Sequence, residues 1–155
     1  MTRSRITDIA PSRLAQLNRG EAEASNLTEC LAVDFAALMQ CTLPSLGPQA
    51  LASMHAASGE GITRRMALAA RLLLTESGTR DLAALSRHPS DTVRGWACFM
   101  VGASEGLSLS DRLALIRPLA DDPHFGVREW AWLAMRTTIA AQLEAAIAAL
   151  VPLTA

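Results

Sequence analysis

The sequence contains no lysine and no tyrosine, and aromatic residues make up only 4% of its 155 positions. Strands favour β-branched and aromatic residues, whereas alanine and leucine, which dominate this chain, favour helices. Glycine and proline are also sparse, at 9 and 7 residues, and most lie between the apolar segments. These shortages exclude a sandwich or barrel of strands and predict an all-α protein.

Long apolar runs and paired cysteines are absent as well. No apolar run approaches the ~20 residues that cross a bilayer, and the polar start MTRSRITDIA lacks the core of a signal peptide. Cys30, Cys41 and Cys98 are odd in number and show no C-x-x-C spacing. The pattern predicts reduced thiols rather than a disulfide framework or a zinc site. We therefore expect a cytoplasmic protein with no membrane segment, no metal and no cofactor.

The charge is balanced but uneven along the chain. All 14 cations are arginine, and the net charge of −1 gives no overall basic field that would indicate nucleic acid. Residues 1–60 carry four arginines and six acids, a net −2, and residues 61–155 carry ten and nine, a net +1. Exclusive use of arginine has two explanations: a GC-rich genome, or the ability of arginine to stack and to contact phosphates in bidentate fashion.

Apolar residues recur every three to four positions along nearly the whole chain, which predicts helices. Pro11 and Gly20 indicate the first turn and the end of a short helix, and Pro48 opens a later one. Pro118 should kink or end its helix. The segment SNLTECLAVDFAALM predicts one helix that Ser25 caps. Its apolar stripe comprises Leu27, Leu31, Phe35 and Leu38.

Internal repetition is the clearest organisational signal. HPSDTVRGWACFM at 88–100 aligns with DPHFGVREWAWLAM at 122–135, with a spacing of 34 residues. A weaker copy, TRRMALAA at 63–70, aligns through Arg64 and Ala67, 30 residues before the first. Each copy follows a shorter leucine-rich helix. Helix pairs that cannot bury their own apolar faces stack on one another, so the repeats predict an α-solenoid. The matched positions are Pro89 and Pro123, Val93 and Val127, Arg94 and Arg128, Trp96 and Trp130, and Ala97 and Ala131.

LADDPHFGVREWAWLAM and LSRHPSDTVRGWACFM resemble HEAT repeats, in which an Asp-Pro turn precedes Val-Arg and small residues on the second helix. Together with LNRGEAEASNLTECLAVDFAALM, these stretches resemble the HEAT-like family of bacterial DNA alkylation repair proteins, of which this chain looks like the N-terminal part. The resemblance implies about four stacked antiparallel helix pairs in a right-handed superhelix. We expect a single domain over 1–155, with an N-terminal helical cap over about 1–45 and repeats over about 46–155.

The two tryptophans of GVREWAWLAMR cannot both be buried, because positions i and i+2 of a helix point to roughly opposite sides. Trp130 shares a stripe with Val127, Ala131 and Ala134, and Trp96 has the equivalent place one repeat earlier, so both are expected in the core. Trp132 matches Cys98 and needs another role. It is either a stacking platform for a base or a cover for the adjacent helix pair.

Arginines are the other candidate DNA-binding residues, because relatives in this family hold the DNA backbone with basic residues on the second helices. Arg94 and Arg128 either serve this purpose or form an internal ladder with Asp91 and Asp122. Arg64, Arg65 and Arg71 spread over more than one face, so at least one should face solvent and contact phosphates, which carry affinity without sequence preference. The candidate nucleic-acid-binding residues are therefore Arg64, Arg65, Arg71, Arg94, Arg128 and Trp132.

Catalysis has little support in the sequence. The resemblance implies base excision, which in related enzymes needs an aspartate close to tryptophans, yet no carboxylate follows any tryptophan here at that spacing. Asp34 is either a perturbed general base or a helix cap, and His88 and His124 are turn residues that cap rather than bind metal.

We therefore predict a protein related to DNA alkylation repair proteins that binds the backbone of double-stranded DNA, and in it an alkylated base, on the concave face of its repeats, with base excision left open. The alternative is a non-catalytic HEAT-like scaffold with a protein partner. A homodimer through the apolar C-terminal stretch LEAAIAALVPLTA is a third prediction.

Overall fold

A computed structural model describes residues 5–153; residues 1–4 and 154–155, the ends of the predicted domain, lie outside this span. The span forms ten α-helices and no strand, which confirms the all-α prediction. None of these helices is both long and apolar enough to cross a bilayer. Short 3-10 helices lie at Ile6–Asp8 and Val151–Leu153. The α-helices are α1 Pro11–Asn18, α2 Leu27–Ala32, α3 Phe35–Thr42, α4 Pro48–Ala56, α5 Ile62–Ser77, α6 Leu82–Leu85, α7 Asp91–Ala103, α8 Leu109–Ala120, α9 Phe125–Ala141 and α10 Leu143–Leu150.

Proline and glycine bound several helices as the sequence predicts. Pro11 and Pro48 are the first residues of α1 and α4, where a missing backbone N–H leaves no hydrogen bond unmade. Gly20 follows α1 with a φ of 73°, a left-handed conformation that glycine adopts without strain. Pro118 lies within α8, which ends two residues later at Ala120.

The predicted single helix over SNLTECLAVDFAALM is wrong, because the chain breaks into α2 and α3 at Val33. Asn26, not Ser25, caps α2 by accepting a hydrogen bond from the Glu29 amide. The carboxylate of Asp34 then accepts a hydrogen bond from the Ala37 amide at 3.0 Å and caps α3. Side chains of this kind satisfy free amides at a helix start and so compete with a continuous helix. The predicted stripe is accordingly half right: Phe35 and Leu38 are buried, whereas Leu27 and Leu31 are exposed.

The chain breaks between its last two α-helices at a polar residue. α9 continues through the TTIAA segment to Ala141, and the break falls at Gln142, whose φ of −132° and ψ of 46° are not helical. α10 therefore begins at Leu143.

Helix α7 lies at the centre of the protein, between α5 and α9. Every residue from Asp91 to Val101 is buried. Two glycines seven positions apart allow α9 to approach closely: a Cβ at Gly95 would lie 2.6 Å from the Trp130 ring, and one at Gly102 would overlap the Ala134 carbonyl oxygen. The close contact between α7 and α9 therefore depends on missing side chains as well as on apolar ones.

The 34-residue repeat is present in the local structure of α7 and α9. Their N-caps are Ser90 and His124, and each side chain accepts a hydrogen bond from an amide in the first helical turn. The arginine four positions after each cap, Arg94 or Arg128, donates to two carbonyl oxygens of the preceding turn. As predicted, Trp96 and the repeated Trp130 are buried, at 0% and 5% exposure.

The third copy has a different register from the predicted one. The N-cap of α5 is Gly61, so the residue four positions later is Arg65, not Arg64. Arg65 is buried like Arg94, whereas Arg64 points to solvent. The structural spacing between this copy and the copy at 88–100 is therefore 29 residues, from Arg65 to Arg94, instead of 30.

Candidate functional site

Trp132 is the one exposed tryptophan of the three, with an exposed fraction of 45%. It lies on α9, two positions after buried Trp130, as the helical spacing predicts. Tryptophan is enriched at binding interfaces, because it combines a large apolar ring with one polar N–H group. Trp132 is therefore the natural centre of a candidate site.

Three arginines surround this tryptophan. Arg128 and Arg136 lie four positions before and after it on α9, so all three share one side of the helix. Arg117, from α8, lines with Trp132 a cavity of about 410 Å³, and Arg136 lines with it a second one of about 520 Å³. We call these four residues the Trp132 face. Arg117 and Arg136 are exposed and form no salt bridge within residues 5–153.

Arg128 is only partly committed to the protein itself. One of its terminal nitrogens, Nη1, donates to the carbonyl oxygens of Asp122 and Pro123 at 2.7 and 2.9 Å. The side chain is exposed, and its remaining donors have no partner among the described residues. The predicted ladder does not include Arg128, because the carboxylate of Asp122 pairs with Arg94 instead.

Arg94 has the internal role that the ladder interpretation predicts. It is 7% exposed and donates to both carboxylate oxygens of Asp122, at 2.9 and 3.2 Å. It also pairs with Glu23 and with the carbonyl oxygens of His88 and Pro89. All five interactions are inside the protein, so the guanidinium of Arg94 has no donor left for a phosphate.

Asp91 does not join an arginine ladder but lies in a buried cluster with Cys30 and His124. Its Oδ1 accepts from the Ala24 amide at 3.0 Å, and its Oδ2 lies 3.7 Å from the Cys30 sulfur and 3.6 Å from His124 Nε2. The three possible ligand atoms lie within 4.8 Å of one another, a spacing that a metal ion could bridge. Sequence analysis missed this cluster, because 61 residues separate Cys30 from Asp91.

Hydrogen bonds to His124 nevertheless favour a network without metal. Its Nδ1 accepts from the Gly126 amide at 3.1 Å, which requires the neutral ring to carry its proton on Nε2. Nε2 then donates to the Ala24 carbonyl at 2.7 Å. A metal ligand would need that nitrogen free and the other one protonated. Burial raises the pKa of Cys30 to about 12, so this thiol stays protonated at neutral pH. His88 Nδ1 likewise accepts from the Ser90 amide, as expected for a turn residue.

The arginines of α5 divide between solvent and interior. Arg64 and Arg71 are exposed, as predicted for at least one of them, and Arg64 pairs with Glu60 at 3.1 Å. Arg65 is 7% exposed, and its guanidinium carbon lies 4.6 Å from the centre of the Phe35 ring. Burial lowers the pKa of Arg65 because it removes water from the charged group. Arg65 is therefore not placed to contact a phosphate backbone.

Sequence reasoning missed several residues beside Trp132. Arg136 was available as the i+4 neighbour of Trp132, a spacing that indicates contact along one helix face. Arg117 and Asp121 come from the end of α8, and nothing in the sequence shows that this end faces Trp132. Glu129 lines the second cavity, so two carboxylates accompany the arginines. The site thus combines an exposed ring with cations and a smaller number of anions.

Comparisons of the chain with protein-family models, with curated proteins and with solved structures find no match. The function is therefore argued from the site itself.

Proposed function

We propose that the chain is a HEAT-like repeat protein of the DNA alkylation repair type that binds double-stranded DNA through the Trp132 face. The observation that carries the proposal is the exposed ring of Trp132 between Arg128 and Arg136 on one side of α9. An aromatic ring can stack on an unpaired base, and arginine contacts phosphates as well as stacking. These are the two contacts that a protein needs to recognise a damaged or missing base without reading sequence.

An α-solenoid arrangement is part of this proposal. In its favour, α5, α7 and α9 pack in sequence, and the shorter helices α6 and α8 pack against α7 and α9. The matching caps and arginine contacts of α7 and α9 support two successive helix pairs of the same design. The right-handed superhelix and the helical cap over 1–45 belong to the same proposal.

The charges of the Trp132 face set its expected affinity. Three arginines contacting phosphates give a slope of about −2.7 for the logarithm of the binding constant against that of salt concentration. Base stacking on Trp132 adds ~1–3 kcal/mol. Asp121 and Glu129 oppose the phosphates, so replacing either by its amide should strengthen binding.

The test uses the fluorescence of Trp132, because the other two tryptophans are buried. A duplex with a stable abasic-site analogue and an undamaged duplex are titrated against the wild type, Trp132→Ala and Arg136→Gln. For the wild type, we expect the quenching to saturate at a lower concentration of the damaged duplex than of the undamaged one. Trp132→Ala, followed by anisotropy of a labelled duplex, should lose the preference for damage, whereas Arg136→Gln should reduce the salt slope by about one.

Arg19→Gln is the control, because Arg19 is exposed, pairs with Glu21 and lies at the end of α1. It should bind both duplexes as the wild type does. If Trp132→Ala binds both duplexes with equal affinity and keeps the wild-type salt slope, Trp132 provides the preference for damage by stacking. The phosphate contacts then come from the arginines. No quenching by either duplex at low salt would refute DNA binding by this face.

A specific observation favours a second candidate, a non-catalytic scaffold for a protein partner. The cavity between Trp132 and Arg117 is mostly apolar, with Leu113, Ile116 and Leu150 among its lining residues. On α10, Leu143 and Ile147 are more than half exposed, one turn apart on a single face. Such a surface suits a partner with apolar side chains, including a second copy of this chain at the C-terminal end.

Sedimentation velocity at several protein concentrations tests the homodimer. We expect a dimer whose population rises with concentration and which Ile147→Glu abolishes. Gln40→Glu is the control, because Gln40 is already exposed. A monomer at all concentrations would refute the homodimer and leave the scaffold function to a different partner.

A further inference from the structure

Arg65 carries a buried positive charge that the protein itself compensates incompletely. Its terminal nitrogens donate to the carbonyl oxygens of Val33 and Leu31, both at 3.3 Å, which is long for a charged donor. Its Nε is buried and has no hydrogen-bond partner among the described residues. No carboxylate within residues 5–153 forms a salt bridge with it, and its charge is offset only by the Phe35 ring and by the more distant carboxylate of Asp34. Burying a charge without a paired anion is costly, so this arrangement calls for a physical reason.

The two equivalent arginines show what normally surrounds this position. Arg94, which is equally buried, is held by the carboxylates of Asp122 and Glu23 as well as by two carbonyl oxygens. Arg128 has two carbonyl oxygens only, but it is exposed, so water solvates its charge. Arg65 alone of the three is buried without a salt bridge to a carboxylate among the described residues.

A cavity of about 250 Å³ lies against this group. Arg65 lines it together with apolar side chains, among them Leu31, Phe35 and Met54, and with the polar residues Asp34 and Ser58. The cavity suits a body of a few carbon atoms. The Asp34 carboxylate beside it disfavours a ligand with two negative charges.

From this geometry we propose that the cavity binds the carboxylate group of a small, singly charged ligand with a branched or short apolar body, and that Arg65 is the residue that pairs with it. The ligand's carboxylate supplies at Arg65 what Asp122 supplies at Arg94. The apolar body packs against Leu31, Phe35 and Met54. This site is separate from the Trp132 face and does not depend on DNA binding.

The experiment follows the Nε–H resonance of Arg65 by nitrogen-15 NMR, with its assignment from the Arg65→Met spectrum. The probe is 3-methylbutanoate, compared at constant ionic strength with the neutral amide of the same skeleton and with inorganic phosphate. We expect a saturable shift with the carboxylate only. Arg65→Met should weaken binding roughly 10- to 100-fold, the range expected when a hydrogen bond to a charged group is lost.

Arg64→Met is the matched control, since Arg64 is the adjacent arginine but is exposed and lies outside the cavity lining. It should bind the probe as the wild type does. The proposal is overturned if the wild-type Nε–H resonance shows no saturable shift, if phosphate or the amide shifts it equally, or if Arg65→Met binds as tightly as the wild type. Should Arg65→Met fail to fold, through-bond assignment of the wild-type spectrum identifies the Arg65 Nε–H resonance, and the wild-type titration then decides.

Discussion

Replacing Arg94 by methionine should be among the most destabilising single changes in this protein. The change keeps most of the side-chain length but leaves the carboxylate of Asp122, 10% exposed, with the backbone amide of His124 as its main remaining partner. Breaking a buried pair in this way costs about 3–5 kcal/mol. Glu23 adds little, at most ~1 kcal/mol, because its side chain is 46% exposed and water can replace the arginine. The loss is a large part of the ~5–15 kcal/mol that holds a domain of this kind together.

Arg128→Met is the matched control for this prediction. Arg128 occupies the same position one repeat later, but it is exposed and donates only to two carbonyl oxygens that water can reach. We expect a cost of about 1 kcal/mol. The assay is urea unfolding followed by far-UV circular dichroism, with the free energy of unfolding obtained from the midpoint and a shared slope.

A double-mutant cycle with Asp122→Asn isolates the pair. In the Asp122→Asn background, Arg94→Met should cost about 2 kcal/mol less than in the wild type, because no buried anion is left unpaired. The reasoning is refuted if Arg94→Met and Arg128→Met cost the same within ~0.5 kcal/mol, the additivity error of such measurements.

Three further predictions concern the packing of Gly102, the ion pair of Glu29 and the accessibility of the three cysteines. Gly102→Ala should lower the free energy of unfolding by about 1–3 kcal/mol despite its better helix propensity, because backbone of α9 blocks the added methyl group; unchanged urea midpoints would contradict this. Hydrogen bonds from Arg13 lower the pKa of Glu29, so the wild type loses this stabilisation as the pH falls below the ordinary carboxyl value towards the lower folded one. Urea midpoints of Glu29→Gln should change less over that interval, and equal changes would contradict the assignment. A thiol reagent should modify only Cys41 in the folded protein, since Cys30 and Cys98 are buried and burial raises the pKa of both to about 12; mass spectrometry showing two or three additions would contradict this.

The sequence predicts most of the repeated part of the fold because the copies share the same pattern of turn residues and apolar positions. The 34-residue register correctly predicts that Trp96 and Trp130 are both buried, and that Arg94 pairs with an aspartate of the next turn. The spacing of apolar residues along α9 then predicts that Trp130 is buried and that Trp132 lies on another side of the helix. These features need only helix geometry and a neighbouring helix pair, both of which a periodic pattern specifies.

The contacts of the N-terminal region could not be predicted in the same way. Ala24 bonds through its amide to Asp91 and through its carbonyl to His124, which is 100 residues away, and Glu23 pairs with Arg94. Non-repetitive pairs over such separations leave no periodic signal in one sequence. The break between α2 and α3 at Val33 was missed because an aspartate can either cap a new helix or face solvent on a continuous one, and the sequence does not distinguish the two.

Position in a repeat also does not decide what an arginine does. Arg65, Arg94 and Arg128 stand four residues after the N-caps of α5, α7 and α9. The first is buried without a salt bridge among the described residues, the second is buried with two carboxylate partners, and the third is exposed. Local sequence is similar in all three cases, and the difference lies in what each helix packs against. A buried arginine that its own fold already satisfies has no donor to spare for a ligand. Functional candidates in such a protein are therefore the arginines whose surroundings depart from the repeat, which here means Arg65 in its cavity and the cations around Trp132.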